Sequence, residues 1–194
     1  LDNDGLIELF VANGHVDDLS QRGRPYRMPP QLFRYEGAHG FEEIGRSTLG
    51  EYFSKDWLGR AAVRLDWNLD GRNDLVVGHL EDQAVLLTNE TAAAGRSLSL
   101  ALVATGSERS AVGATVEVVV GGRRHVQQLT TGDGYQCRNE QRILVGLNSH
   151  EQADEVVVHW MDGRRERFTN LSAGRYVLRE GGDAQQMSSE MHSR

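Results

Sequence analysis

The sequence predicts an all-β protein, in which part of a β-propeller is followed by a small antiparallel domain resembling a β-sandwich. Apolar runs are short, are bounded by Gly, Asp or Asn, and recur about every ten residues, which is typical of sandwiches, barrels and propellers. No segment shows a long helical period. One motif occurs twice at a fixed offset, as between propeller blades. The glycine and proline counts, 22 and 3, agree with a chain rich in tight turns.

Strands are predicted wherever an apolar run lies between turn residues. In chain order these runs are residues 6–12, 31–35, 61–65, 75–80, 85–88, 98–104, 115–120, 126–130, 143–147, 155–160, 165–171 and 175–179.

Two hairpins are predicted in the second half of the chain. Gly121 and Gly122 both tolerate the positive φ of a tight hairpin turn. The second hairpin has either a three-residue loop, residues 161–163, or a two-residue loop of Asp162 and Gly163. The three-residue loop pairs Val156 with Phe168 and keeps the apolar side chains on one face, whereas the shorter loop turns Phe168 to the opposite face. We favour the three-residue loop.

The composition divides the chain into segments. Residues 1–90 are predicted to form two blades or blade parts, 91–96 a linker, 97–180 the β-sandwich-like domain, and 181–194 a flexible polar tail. Two blades do not close a propeller, which needs about four or more. Since the chain also opens inside the repeated motif, we expect it to be a piece of a longer protein.

Charge and cysteine content exclude several classes of function. The 21 Lys and Arg against 28 Asp and Glu give a net charge of −7, which disfavours a nucleic-acid-binding surface. No apolar run approaches the ~18 residues of a membrane-spanning helix. Cys137 is the single cysteine, so an intrachain disulfide and a thiolate metal cluster are both excluded.

The repeated motif has the pattern of a calcium-binding loop. Residues 2–11 align with residues 68–77, an offset of 66. In the second copy, oxygen side chains occupy positions 1, 3, 5 and 9 and Gly71 occupies position 6, where the chain must turn sharply around the ion. An all-oxygen set favours Ca²⁺ over Zn²⁺. The predicted ligands are Asp66, Asn68, Asp70 and Asp74 by their side chains and Arg72 by its backbone carbonyl.

The first copy is a shorter version of the same loop. It offers Asp2, Asp4 and Glu8 by their side chains and Leu6 by its backbone carbonyl, but its position 1 precedes the first residue. We therefore expect weaker metal binding, or none, in this copy. Neither copy is an EF-hand, because position 12 of the second copy is Val77 and the flanking segments are predicted strands. Asp, Asn and Gly clusters also form ordinary turns, but two copies at one offset favour the metal.

Both halves of the chain resemble known families. Residues 66–75 and 9–16 resemble the FG-GAP/VCBS calcium-binding blade of integrin-like propellers. Residues 112–116, 131–136, 145–147 and 156–164 resemble the ASPIC/UnbV domain. Together the resemblances extend to about residue 180. They imply the C-terminal part of a larger secreted, periplasmic or extracellular protein, and they imply no defined activity.

Aromatic residues offer weaker candidate sites. Trp57, Tyr52 and Phe53 are interpreted as core or inter-blade packing, with a sugar-stacking platform as the alternative. Asp133 and Tyr135 lie in a glycine-rich segment that either presents a ligand-binding loop or forms a turn with Tyr135 packed inward, and we favour the turn.

The sequence therefore predicts a calcium-stabilised, non-catalytic interaction module outside the cytoplasm, of the kind used in cell adhesion, with a protein or glycan partner. The alternatives are a carbohydrate-binding module and an accessory part of a secondary-metabolism enzyme, since members of this family occur in enediyne biosynthesis clusters. Self-association through uncovered strand edges is also expected.

Overall fold

The computed structural model describes residues 1–106 and 109–187, and over these ranges the fold is all-β, as predicted. The strands are β1 (Glu8–Val11), β2 (Gln31–Tyr35), β3 (Phe41–Glu43), β4 (Gly59–Leu65), β5 (Asp74–His79), β6 (Val85–Leu87), β7 (Arg96–Val103), β8 (Thr115–Val120), β9 (Arg123–Gln128), β10 (Ile143–Asn148), β11 (Gln152–His159), β12 (Arg165–Ser172), β13 (Gly174–Arg179) and β14 (Ala184–Gln186). Short 3₁₀ helices lie at Ser20–Arg22, Gly37–His39, Arg46–Thr48 and Glu51–Ser54. Within the described ranges, no helix has the length and apolarity to cross a membrane.

Residues 1–90 form two three-stranded antiparallel sheets, ordered β1-β2-β3 and β4-β5-β6. They share a small core whose buried members are Leu32, Tyr52, Phe53 and Val77. In each sheet a strand follows a copy of the repeated loop, so the repeat in sequence is also a repeat in structure. The described residues do not form a closed propeller.

The second half is a sandwich of two four-stranded sheets, ordered β12-β11-β8-β9 and β10-β7-β13-β14. Strand β8 shows how the sequence produces it, because its residues alternate between partly exposed and buried and place Val116, Val118 and Val120 in the core. Leu98 and Leu100 of β7 reach the same core from the opposite sheet. This core is the larger of the two.

Both predicted hairpins are confirmed. Gly121 and Gly122 have φ of 53° and 79°, and they join β8 to β9 with Val120 opposite Arg123. Val156 pairs with Phe168, as the three-residue loop requires.

Three predictions differ from the structure. The sandwich is not wholly antiparallel, because β13 runs parallel to β7, and the alternation of apolar residues does not encode the direction of a partner strand. Strand β3 was not predicted. The predicted flexible tail begins too early, since β14 pairs with β13. The polar sequence of β14 has no apolar alternation from which this pairing could be predicted. Residues 188–194 of that tail lie outside the described residues.

The two halves contact each other through backbone hydrogen bonds around the first loop and at the end of β4. The amide of Asn148 donates to the carbonyl of Asn3 at 2.8 Å, and the amide of Gly95 donates to the carbonyl of Asp2 at 2.7 Å. The amide of Glu140 donates to the carbonyl of Arg64 at 3.0 Å. The sandwich therefore packs directly against the part of the chain that contains the repeated motif.

Candidate metal centre

The two copies of the loop share a left-handed backbone conformation at two equivalent positions. Asn3 and Gly5 have φ of 58° and 83°, and their equivalents Leu69 and Gly71 have φ of 61° and 82°. Positive φ is strained for a residue such as Leu, which adopts it only where the surrounding structure requires it. The second loop joins β4 to β5, and the first leads directly into β1.

The side chains at positions 3 and 5 stabilise both loops in the same way. In the second loop, the amide of Asp70 donates to Asn68 Oδ1 at 3.2 Å and the amide of Arg72 donates to Asp70 Oδ1 at 2.9 Å. These are Asx turns, in which a short side chain accepts from the backbone two residues later.

The first loop repeats these two bonds. The amide of Asp4 donates to Asp2 Oδ1 at 3.2 Å, and the amide of Leu6 donates to Asp4 Oδ1 at 2.7 Å. Each carboxylate in this series keeps its second oxygen outside the Asx turn. Leu6 and Arg72 both occupy position 7, where the sequence predicts that the backbone carbonyl is a ligand.

Asp66 and Asp74, at positions 1 and 9 of the second loop, are buried, with 4% and 1% exposure. Asp74 accepts from the amides of Trp67 at 3.1 Å and Asn89 at 2.7 Å, one bond to each oxygen. It therefore joins the two ends of the loop to each other and to the segment that follows β6. The burial of Asp66 raises the pKa of its carboxyl group above the ordinary value.

The carboxylate of Asp66 is only half satisfied. Its Oδ2 accepts from the amide of Gly71 at 3.1 Å and from Arg175 Nη1 at 2.9 Å. Its Oδ1 is buried and has no hydrogen-bond partner. A buried carboxylate oxygen without a partner carries a large desolvation cost, which a cation in the loop would offset.

Carboxylates converge more closely in the first loop. Asp2, Asp4 and Glu8 each offer an oxygen, and these oxygens all lie within 4.8 Å of one another. Asp66, Asp70 and Asp74 do not meet this spacing. In the second loop, Asp70 Oδ2 accepts from the guanidinium of Arg72 and from the side-chain amide of Asn68. The closer cluster is thus in the loop for which the sequence predicts the weaker site.

The two loops are in direct contact. The side-chain amide of Asn3 donates to the carbonyl of Gly71 at 3.0 Å and to the carbonyl of Gly95 at 3.0 Å. A change in either loop is therefore transmitted to the other and to the start of the sandwich.

The donor set suits a hard divalent cation. All the predicted side-chain ligands are oxygens, and Asp66 presents a buried oxygen that has no other partner. The residues present therefore fit Ca²⁺, which Asp66, Asn68, Asp70 and Asp74 would hold in the second loop and Asp2, Asp4 and Glu8 in the first. Bound there, the ion would supply positive charge that fixes the loop and the strands beside it.

Of the aromatic candidates, some are buried in a core and one is exposed. Tyr52 and Phe53 are buried, and Trp57 stacks on Tyr52 with ring centroids 5.1 Å apart, which confirms the packing interpretation. His79 lies against the same rings and accepts or donates a hydrogen bond with the Tyr52 hydroxyl at 2.9 Å. The prediction that Tyr135 packs inward is wrong, because this side chain is 64% exposed.

Comparison with known proteins identifies the second half of the chain. Residues 104–186 match the family model described as ASPIC and UnbV. These residues form an ASPIC/UnbV domain. Over 166 residues the chain is 26% identical to cartilage acidic protein 1 of Mus musculus and of Homo sapiens. The match covers 84% of this chain and 24% of each relative, so the chain spans about a quarter of the length of the curated relatives it matches.

Two residues of the ASPIC/UnbV domain contact the second loop, and the sequence did not predict either contact. Arg175 of β13 binds the carboxylate of Asp66, and Glu140 Oε2 accepts from the backbone amide of Asp66 at 3.2 Å. Arg175 lies 109 positions from Asp66 in the chain. No local pattern marks such a contact, and only the packing of the sandwich on the blade sheets reveals it.

Proposed function

We propose that this chain is part of a calcium-stabilised, non-catalytic interaction module that acts outside the cytoplasm. In this proposal the two small sheets are blade parts of a propeller, and Ca²⁺ fixes the two loops, which contact the second half of the chain. The observation that supports it most strongly is the buried, unpartnered Oδ1 of Asp66 inside a loop whose backbone and Asx turns occur twice.

An extracellular location is part of the same proposal. The relatives are named for cartilage, a tissue that consists largely of extracellular matrix. Extracellular modules bind Ca²⁺ at roughly 10⁻⁴–10⁻³ M, a concentration range that exists outside cells and not in the cytosol. A structural role for the ion requires no catalytic residue, since the ion acts by holding the backbone in place.

The proposal is tested by unfolding the chain with and without Ca²⁺. An ion that binds only the folded state stabilises it by about 2.7 kcal/mol when its concentration is a hundred times Kd. We therefore expect CaCl₂ to raise the unfolding midpoint and EDTA to reverse the effect.

The variant Asp70→Ala removes a predicted ligand and should lose most of this shift. Asp56 is exposed and lies outside both loops, so Asp56→Ala is the matched control and should respond as the unaltered chain does. Equal responses of Asp70→Ala and the control would contradict the assignment of the second loop.

A glycan ligand is the second candidate, favoured by two exposed aromatic rings. Trp67 of the second loop is 48% exposed and Tyr135 is 64% exposed. Exposed aromatic rings with a polar group suit stacking against sugars. A glycan array probed with the chain in CaCl₂ tests this function, and an array without a bound glycan would eliminate it.

A further inference from the structure

Asp66, at position 1 of the second loop, contacts the ASPIC/UnbV domain. One of its oxygens, Oδ2, is bound by the loop amide of Gly71 at 3.1 Å and by the guanidinium of Arg175 at 2.9 Å. The other oxygen, Oδ1, is buried and has no partner. The carboxylate is therefore oriented by one oxygen and available to a cation through the other.

The domain also binds the backbone of Asp66. Glu140 Oε2 accepts from the Asp66 amide at 3.2 Å, and its other oxygen lies 3.9 Å from Arg175 Nη2. The side chain of Arg175 is 18% exposed and that of Asp66 is 2% exposed, so this ion pair lies in a largely water-free interface. Both the main chain and the side chain of the first ligand position are thus fixed by the neighbouring domain.

Physical chemistry gives this contact a definite consequence. A buried carboxylate has lost its water, and a charged hydrogen bond from a guanidinium compensates for that loss and fixes the rotation of the group. A ligand whose orientation is fixed in advance loses less conformational freedom when the ion arrives. The guanidinium also repels a divalent cation, which weakens calcium binding. Whether Arg175 strengthens or weakens calcium binding overall therefore depends on which of the two effects is larger.

We propose that Arg175 is a positioning residue for the second loop, so that calcium binding and docking of the ASPIC/UnbV domain stabilise each other. This inference rests on the proposed calcium function. Coupling between two binding events is reciprocal, and therefore calcium strengthens the interface by the same factor by which the interface strengthens calcium binding.

The direct test is calorimetric titration with CaCl₂ of the whole chain and of Arg175→Met, which keeps much of the side-chain length and removes the charge. We expect about tenfold weaker calcium binding in the variant, equivalent to about 1.4 kcal/mol. Arg175→Lys keeps the charge without the forked donor geometry and should recover part of the loss.

The matched control is Arg167→Met, because Arg167 pairs with Glu155 at 2.7 Å on the outer face of the sandwich and is 69% exposed. The calcium affinity of Arg167→Met should equal that of the unaltered chain. Equal or tighter binding by Arg175→Met would overturn the inference, and tighter binding would show that charge repulsion exceeds positioning.

A second test needs no variant and is unaffected if Arg175→Met fails to fold. Calcium should slow hydrogen exchange of the loop amides and also of interface amides such as those of Glu140 and Asn148, which donate across the two halves. Protection confined to the loop would overturn the inference.

The two proposals fail in different ways. If the unaltered chain takes up no calcium, the proposed function fails and this inference fails with it. If the unaltered chain takes up calcium, but Arg175→Met binds it at least as tightly as the control does or protection stays confined to the loop, this inference alone fails.

Discussion

Gly146 is a residue at which the backbones of the two halves of the chain approach closely. A Cβ at this position would lie 2.5 Å from the carbonyl oxygen of Asn3 and 2.8 Å from its Cα. Both are backbone atoms, so Gly146→Ala must move the first loop and weaken the bond from the Asn148 amide to Asn3. We expect a loss of about 1–3 kcal/mol in the free energy of unfolding, measured by urea denaturation.

Gly132 is the matched control, because a Cβ there meets nothing within 4 Å. Gly132→Ala should change the stability by no more than about 0.5 kcal/mol. If the two alanine variants are equally stable, the close packing of Asn3 on β10 does not describe the protein in solution.

At the same scale, the sequence predicts the loops better than it predicts their surroundings. Asp2 and Asp70 are recognisable in the sequence as loop residues, because Asx turns and left-handed glycine positions depend only on neighbouring residues. Arg175 was not recognisable, since its role arises only when distant strands pack together. The exposure of Tyr135 was also missed, since the local sequence of a turn does not show which way a single aromatic ring points.

The individual strands show how far alternation predicts secondary structure. Long strands such as β8 and β11 were predicted because their apolar residues recur on one face. Strands β3 and β14 have three residues each, too few for a period to be visible. Partner choice is also invisible, because β13 has the pattern of an antiparallel strand and pairs in parallel with β7.

Strand β13 is central to its sheet, with β7 on one side and β14 on the other. Leu178 in this strand is 0% exposed. Leu178→Ala removes three carbons from the core and leaves a cavity, so we expect a loss of about 2–5 kcal/mol, measured by urea denaturation.

The same substitution in an exposed strand position is the control for Leu178→Ala. Leu86 in β6 is 45% exposed, and Leu86→Ala should cost less than about 1 kcal/mol. Similar losses in the free energy of unfolding at the two positions would mean that Leu178 of β13 is not buried in the sandwich core.

For the whole molecule, the two halves differ in the size of their cores. Among the residues that the structure describes, the sandwich core has 19 buried apolar residues, whereas the core of the two small sheets has four. Burial of apolar surface is the main favourable contribution to folding, and a small core does not offset the loss of chain entropy. The small sheets therefore depend on contacts with the sandwich and, under the proposed function, on calcium.

This difference predicts the behaviour of the separated halves. Residues 97–187 produced alone should unfold in one cooperative urea transition, followed by the fluorescence of Trp160, which is 4% exposed in the core. Residues 1–90 alone should show no cooperative transition, because they lose the bonds to Gly95, Glu140, Asn148 and Arg175 that fix both loops. A sharp transition of residues 1–90 in EDTA would show that their own core suffices, and that neither the sandwich nor a cation is needed to fold them.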